Sequence, residues 1–210
     1  MHIKLLFLDL NGTCVDDWEA VYLAVNAVFD HYGIDCPPME NFIRTVAQNG
    51  DYLSFYRNHG ITASREDLYK IYLPVYKEHT PEVVVMDSIH DSLDMIQRSG
   101  VEIHILTAAR KDLACRLIEM ADIGQYCEAF HYHVHNKHAQ IEAIIDGMDI
   151  EPHECAMMGD LPSDVVHAKR AGIKGIAFEN RHVPRDIFDG IEDIDYVASS
   201  FPHLARYIIQ

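Results

Sequence analysis

Three short polar signatures in this chain carry side chains able to do chemistry. Asp9-Leu10-Asn11-Gly12-Thr13 follows one apolar run, Thr107 follows a second, and Gly159-Asp160-Leu161-Pro162-Ser163-Asp164 follows a third that ends at Met158. Lys137 falls between the second and third signatures. An ionised carboxylate can act as a nucleophile and form a covalent intermediate. A lone Asp at the end of an apolar run is usually a cap or turn residue. Three polar signatures in series, each at such an end, point instead to one assembled site.

The elements that must position these residues can be read from the pattern. Ile3 to Leu8 is apolar except for Lys4, as expected of a strand buried on both faces of a parallel sheet. Residues 16 to about 80 look all-helical. Asp16 or Asp17 can cap a helix running to about Tyr32, with Val21, Val25 and Val28 at helical spacing. Further helices follow Pro37-Pro38, span Asp51 to Asn58, and follow a capping arrangement at Ser64-x-x-Asp67. After Pro81 the pattern alternates. Strands are expected at Val101–Leu106, Ala129–Val134, Glu154–Met158, Gly175–Phe178 and Tyr196–Ala198. Helices are expected at Ile89–Arg98, Lys111–Met120, Ala139–Gly147, Ser163–Ala171 and from Pro202 onward. Strand and helix in alternation predict an α/β fold, a Rossmann-like parallel sheet with an inserted all-helical cap. Residues 1–15 and 81–210 would form the core, and 16–80 the cap over the carboxyl ends of the strands.

Composition narrows the partners. A net charge of −16 repels phosphate backbones, so nucleic acid is a poor partner. Any phosphate site must build a local positive field from a metal, a lysine and backbone N–H groups. The five cysteines are widely spaced and contain no C-x-x-C, which fits a reduced, cytoplasmic protein. No signal peptide precedes the first strand, and no apolar run is long enough for a membrane. Oligomeric state cannot be read from these features.

The order of motifs resembles that of the haloacid dehalogenase superfamily, whose phosphatases read D-x-D-G-T, then Thr or Ser, then Lys, then G-D-x-x-x-D. Phe7 to Asp16 is similar to the family opening, Ile105-Leu106-Thr107 to its second motif, and Gly172 to Phe178 to the strand after its fourth. The helical insert resembles the cap of the phosphoglycolate phosphatase and β-phosphoglucomutase branch. The resemblance implies a Mg²⁺-dependent hydrolase acting on a small phosphorylated metabolite through an aspartyl-phosphate on Asp9. It implies that Asp9, the backbone carbonyl of Asn11 and Asp160 hold the metal, with Asp164 beside them. It further implies that Thr107 and nearby backbone N–H groups such as that of Ala108 take phosphate oxygens, and that Lys137 neutralises charge on Asp9 and the transferring group.

Asn11 departs from the family pattern, which has Asp there as general acid and base. An amide does not titrate usefully, so it can do neither. Three explanations stay open: an engineered Asp-to-Asn change, a natural variant whose leaving group needs little protonation, and a non-catalytic relative that binds a phosphorylated ligand. A haloacid dehalogenase-type hydrolase is a further alternative, since halide leaves unaided. On the missing-acid account, Asn11→Asp raises turnover by about 10²–10⁴-fold.

Secondary candidates surround this set. His131, His133 and His135 alternate, with His138 close behind; alternation on a strand would put three imidazoles on one face, a set suited to Zn²⁺ or Ni²⁺. No cysteine or carboxylate accompanies them at ligand spacing, so a polar strand end near the site mouth is the plainer expectation. Tyr52, Tyr56, Tyr69, Tyr72 and Tyr76 recur at helical spacing, as helix packing would require. Arg44, Arg57, Arg65 and Arg110 are the cations able to meet an anionic substrate.

Overall fold

Leu5–Leu8 form β1, and all four side chains are buried. A strand with no polar face must be covered on both sides. The computed structural model describes residues 3–49 and 52–210. The remaining strands are β2 (Val15–Asp16), β3 (Val84–Val85), β4 (Glu102–Leu106), β5 (Ala129–His131), β6 (Cys155–Gly159), β7 (Lys174–Phe178) and β8 (Tyr196–Ala198). Among the described residues, six of them form one parallel sheet in the order β5-β4-β1-β6-β7-β8. This is the α/β architecture the alternation predicts. Strand order reverses at β1, and open α/β sheets bind ligands at the carboxyl ends beside such a point.

The helices are α1 (Trp18–His31), α2 (Met39–Asn49), α3 (Leu53–Asn58), α4 (Arg65–His79), α5 (Ile89–Arg98), α6 (Lys111–Ala121), α7 (Lys137–Ile145), α8 (Pro162–Arg170) and α9 (Phe201–Ile209). The pleat sends alternate residues of β1 to opposite faces. Leu6 and Leu8 join a core with Leu93 of α5, Leu117 of α6 and Leu204 of α9. Leu5 and Phe7 join a second core with Ile141 of α7 and Ala168 of α8. The helices α1 to α4 enclose a third, separate core around Val25, Phe29, Phe42, Phe55, Tyr56 and Leu68.

Several elements differ from the sequence expectation. The expected start of the third helix at Asp51 lies outside the described residues. Ser64 caps α4 as expected, accepting from the Asp67 N–H at 3.2 Å. Asp17 stands at the N-cap of α1 but makes no side-chain cap bond. The strand expected over 129–134 stops at His131, and His133 has a φ of +59° that no strand can continue through. Lys137, expected in a loop, is the first residue of α7, which Asn136 caps. β2 and β3 were not expected at all. They pair antiparallel, Val15 with Val85, so the chain enters and leaves the four-helix block side by side. Two residues in each strand are too few to show a period of two in the sequence.

Candidate active site

The carboxyl ends of β1, β4 and β6 deliver Asp9, Thr107 and Asp160 to one place. The Asp9 N–H donates to the Met158 carbonyl at 3.0 Å, which fixes the end of β1 against β6. Gly12 then turns the chain back with a φ of +73°. A Cβ at Gly12 would run into the Asp160 carboxylate, so the position admits glycine only. Gly159 is closed in the same way by the side chain of Asp164. The Asn180 amide secures the turn by donating to the Gly12 carbonyl at 2.8 Å.

Lys137 Nζ donates to Asp9 Oδ1 at 2.8 Å and to Asp164 Oδ1 at 2.7 Å. It is the one Lys or Arg among the buried residues described. Asp160 accepts from the Thr13 hydroxyl at 3.1 Å and the Trp18 indole N–H at 3.0 Å, both neutral donors. Carboxylate oxygens of Asp9, Asp160 and Asp164 all lie within 4.8 Å of one another. This is crowded negative charge behind a single ammonium. Burial pushes Asp9 up to about 6, even though Lys137 pulls it down. Burial, then the charges of Asp9 and Asp164, push Asp160 well above the usual carboxylate range. Burial alone would lower Lys137, but Asp164 and Asp9 hold its ammonium above the ordinary lysine range.

Asn11 links the two sides of the site. Its Nδ2 donates to Asp17 Oδ2 at 2.6 Å and lies 3.4 Å from the Tyr76 hydroxyl. Its Oδ1 accepts from the Thr107 hydroxyl at 3.3 Å. Thr107 in turn accepts from the Ala109 N–H at 3.1 Å. Asp9, Asn11, Thr107, Ala108, Lys137, Asp160 and Asp164 all line a cavity of about 350 Å³ beneath the helical block. These seven side chains, from three strand ends and two helices, therefore share one cavity.

The secondary candidates scatter. His131 meets His104 at 3.3 Å, the ring of His133 accepts from the Lys111 N–H at 3.3 Å, and His138 meets His167 at 3.2 Å. The three alternating histidines thus form no shared face, and the one cation-competent cluster among the described residues is carboxylate. His135 lines the cavity, as does Arg65. Arg44 is paired with Asp186 and Glu40. Arg110 reaches the cavity wall, yet its guanidinium engages Asp112 at 3.0 Å.

Four residues with a part in this geometry were not singled out for it in the sequence: Asp17, Trp18, Tyr76 and Asn180. Asp17 passes for a helix cap, but its carboxylate turns inward and collects Asn11, Gly12 and Tyr76. Burial raises its pKa above the ordinary aspartate value. Tyr76 falls in the tyrosine repeat, whose spacing predicts only packing, yet its hydroxyl donates to Asp17 at 2.7 Å. Asn180 lies beyond β7, and nothing near it in the chain marks it.

The haloacid dehalogenase-like hydrolase family model matches residues 6–178. A phosphoglycolate phosphatase of Chromobacterium violaceum is 26% identical, with 84% of this chain and 85% of that protein covered. The pyrophosphatase PpaX of Bacillus velezensis is 23% identical, covering 84% of each. A solved hydrolase from Pseudomonas syringae superposes with a TM-score of 0.81 at 16% identity, over 99% of this chain and 98% of that one, which shows a shared fold.

Proposed function

The chain belongs to the haloacid dehalogenase-like hydrolase family, and from that premise we propose that it is a phosphatase that cleaves small phosphorylated metabolites through an aspartyl-phosphate on Asp9. The observation that carries this is the Lys137 bridge between Asp9 and Asp164 in the wall of the cavity. It presents Asp9 as an oriented nucleophile beside a fixed positive charge. The relatives named phosphoglycolate phosphatase and pyrophosphatase support phosphate chemistry.

The residues divide the work. An Asp9 oxygen forms a bond to phosphorus as the bond to the leaving oxygen breaks, and the electron pair departs with that oxygen. Water then bonds to phosphorus, the bond to Asp9 breaks, and inorganic phosphate leaves. Thr107 and Ala108, on the wall beside Asn11, take phosphate oxygens. Lys137 offsets charge on Asp9 and the transferring group.

A divalent cation fits the donor set. Lys137 satisfies one oxygen each of Asp9 and Asp164, whereas Asp160 has no cationic partner among the described residues and its carboxyl is pushed toward the protonated form. We propose Mg²⁺, held by Asp9, Asp160 and the Asn11 carbonyl with Asp164 supporting, because a hard cation takes oxygen ligands. When bound, it would neutralise charge on the phosphoryl oxygens. The helices of residues 16–80 act as the cap and residues 1–15 and 81–210 as the core. Among the described residues no helix is long and apolar enough to cross a membrane. We assign the protein to the cytoplasm, and its unpaired cysteines suit that compartment.

Asn11 favours one other reading, a protein that binds a phosphorylated ligand without turnover. Phosphate release from a panel of small phosphate esters and anhydrides with Mg²⁺ separates the two. We expect release from at least one, abolished by Asp9→Asn. Ligand binding with no release from any would replace the phosphatase with the binding protein. Metal-independent halide release from 2-haloacids would favour the dehalogenase chemistry.

A further inference from the structure

We propose that the substrate is the phosphate monoester of a phenol, its aromatic ring seated against the wall the helical block adds to the cavity. This names the substrate class for the phosphatase reading above and rests on it.

The first observation is the wall itself. Trp18, Phe42, Tyr52, Tyr69, Tyr72 and Tyr76 all line the cavity. Their rings are fixed against one another. Tyr72 and Tyr76 stack with centroids 5.7 Å apart, Tyr52 and Tyr69 at 6.1 Å, and Trp18 meets Phe42 edge-on at 6.3 Å. Such a surface is formed before anything binds, and flat apolar groups gain most from it. Arg65, over the Tyr52 ring at 5.3 Å, is the one cation the cap helices contribute to the wall among the described residues. A second phosphate would therefore find a single guanidinium on a part of the wall that is otherwise aromatic.

The second observation is independent of the wall. By the family resemblance Asn11 occupies the position of the acid that protonates the leaving oxygen, and in the structure its amide is spent on Asp17 and Thr107. It has no proton to give. An alkoxide then leaves poorly. A phenol ionises near 10, about six units below water, so phenoxide can depart unprotonated. As the bond from Asp9 to phosphorus forms, the bond from phosphorus to the aryl oxygen breaks; the pair leaves on that oxygen, and solvent supplies its proton. An acyl phosphate or pyrophosphate meets the second requirement but not the first. An aryl phosphate meets both.

The test compares kcat/KM, with Mg²⁺ present, for phenyl phosphate, cyclohexyl phosphate, acetyl phosphate and inorganic pyrophosphate. Phenyl phosphate should exceed cyclohexyl phosphate by about 10²-fold or more, the size of an acid catalyst that only the alkyl ester needs. It should exceed acetyl phosphate and pyrophosphate by about tenfold, the worth of one aromatic contact. Tyr69→Leu should cut kcat/KM for phenyl phosphate about fivefold more than for acetyl phosphate, through KM. Equal or better turnover of acetyl phosphate or pyrophosphate, still dependent on Asp9, would overturn the aromatic assignment and leave the phosphatase standing. No phosphate release from any of the four, or from the wider panel, would overturn both.

Discussion

The side-chain amide of Asn11 donates to the carboxylate of Asp17 at 2.6 Å, and the Tyr76 hydroxyl donates to the same oxygen at 2.7 Å. The Gly12 N–H closes on the other oxygen at 3.1 Å. An ionised carboxylate only accepts, so Nδ2 of Asn11 must face Asp17 and Oδ1 must face Thr107. Residues 11 and 17 are therefore a matched pair, amide against carboxylate.

This pairing changes the outcome expected for Asn11→Asp. On sequence grounds alone the change supplies a missing acid and raises turnover. In the structure it sets a second buried carboxylate against Asp17, where the amide now donates. We expect the single variant to lose about 1–3 kcal/mol of stability, the cost of burying unsatisfied polar groups. The double variant Asn11→Asp with Asp17→Asn keeps one amide and one carboxylate in the pair. Its phosphatase turnover should exceed that of the single variant by about tenfold or more, within the usual range for a positioned acid. Parallel melting curves and steady-state kinetics on the two proteins decide it, and a single variant that matches the double in both would show that the pair is not coupled.

Lys137 offers a harsher test of the carboxylate cluster. Replacing it with methionine keeps the apolar stem and removes the charge that faces Asp9 and Asp164. Breaking a buried ion pair from one side typically costs about 3–5 kcal/mol, because the partner is left uncompensated. We expect Lys137→Met to lose that much in chemical denaturation without metal, and to recover part of it when Mg²⁺ is added. Stability within about 1 kcal/mol of the parent would mean that the carboxylates are already protonated and need no cation.

Asp9, Thr107 and Asp160, the most legible parts of the site, each follow directly on the end of a strand, so local order along the chain carries the information. The alternation that builds the sheet was readable for the same reason. Asp17 was misread because an Asp before a helix has an ordinary local explanation, and only the fold shows its side chain turning toward Gly12 and Tyr76. Tyr76 is 59 residues from Asp17, and Asn180 is 168 from Gly12. Contacts across such separations leave no periodic trace. Tyr69, Tyr72 and Tyr76 share α4, but the helical period cannot say that they border a cavity as well as a core.

Asp160→Asn isolates the cation from the rest of the fold. Asp160 is the cluster carboxylate without a lysine, and the Thr13 hydroxyl can rotate to accept from an amide at that position. Removing its charge relieves repulsion from Asp9 and Asp164. Metal-free Asp160→Asn should therefore melt at or above the parent temperature, yet gain little from millimolar Mg²⁺. Titration calorimetry on both proteins gives the affinities directly. A variant that binds Mg²⁺ as tightly as the parent would remove Asp160 from the ligand set.

The same cluster makes the effect of Mg²⁺ on stability depend on pH. Asp9 is held at about 6 in the folded protein, against about 3.9 for an unfolded aspartate. Asp160 is shifted in the same direction. Without metal the folded state holds more protons than the unfolded state across this interval. The stabilisation from these groups is therefore full below about pH 4 and is lost as pH rises through about 6. His131 and His167, lowered by burial, act in the opposite sense, since the unfolded chain binds more protons near their ordinary value and stability gains as pH climbs. The raw melting curve mixes the two effects. The difference between curves with and without Mg²⁺ is far less exposed to the histidines, because the cation competes with protons for Asp9 and Asp160. At pH 5 Asp9 is largely protonated and the metal must displace that proton. At pH 7.5 Asp9 is ionised and the repulsion it feels is what the metal relieves. We expect saturating Mg²⁺ to add little at pH 5 and about 3–4 kcal/mol at pH 7.5, the mass-action gain for a ligand at 100–1,000 times its dissociation constant. An increment that stays constant between those pH values would place the cation somewhere other than on these carboxylates.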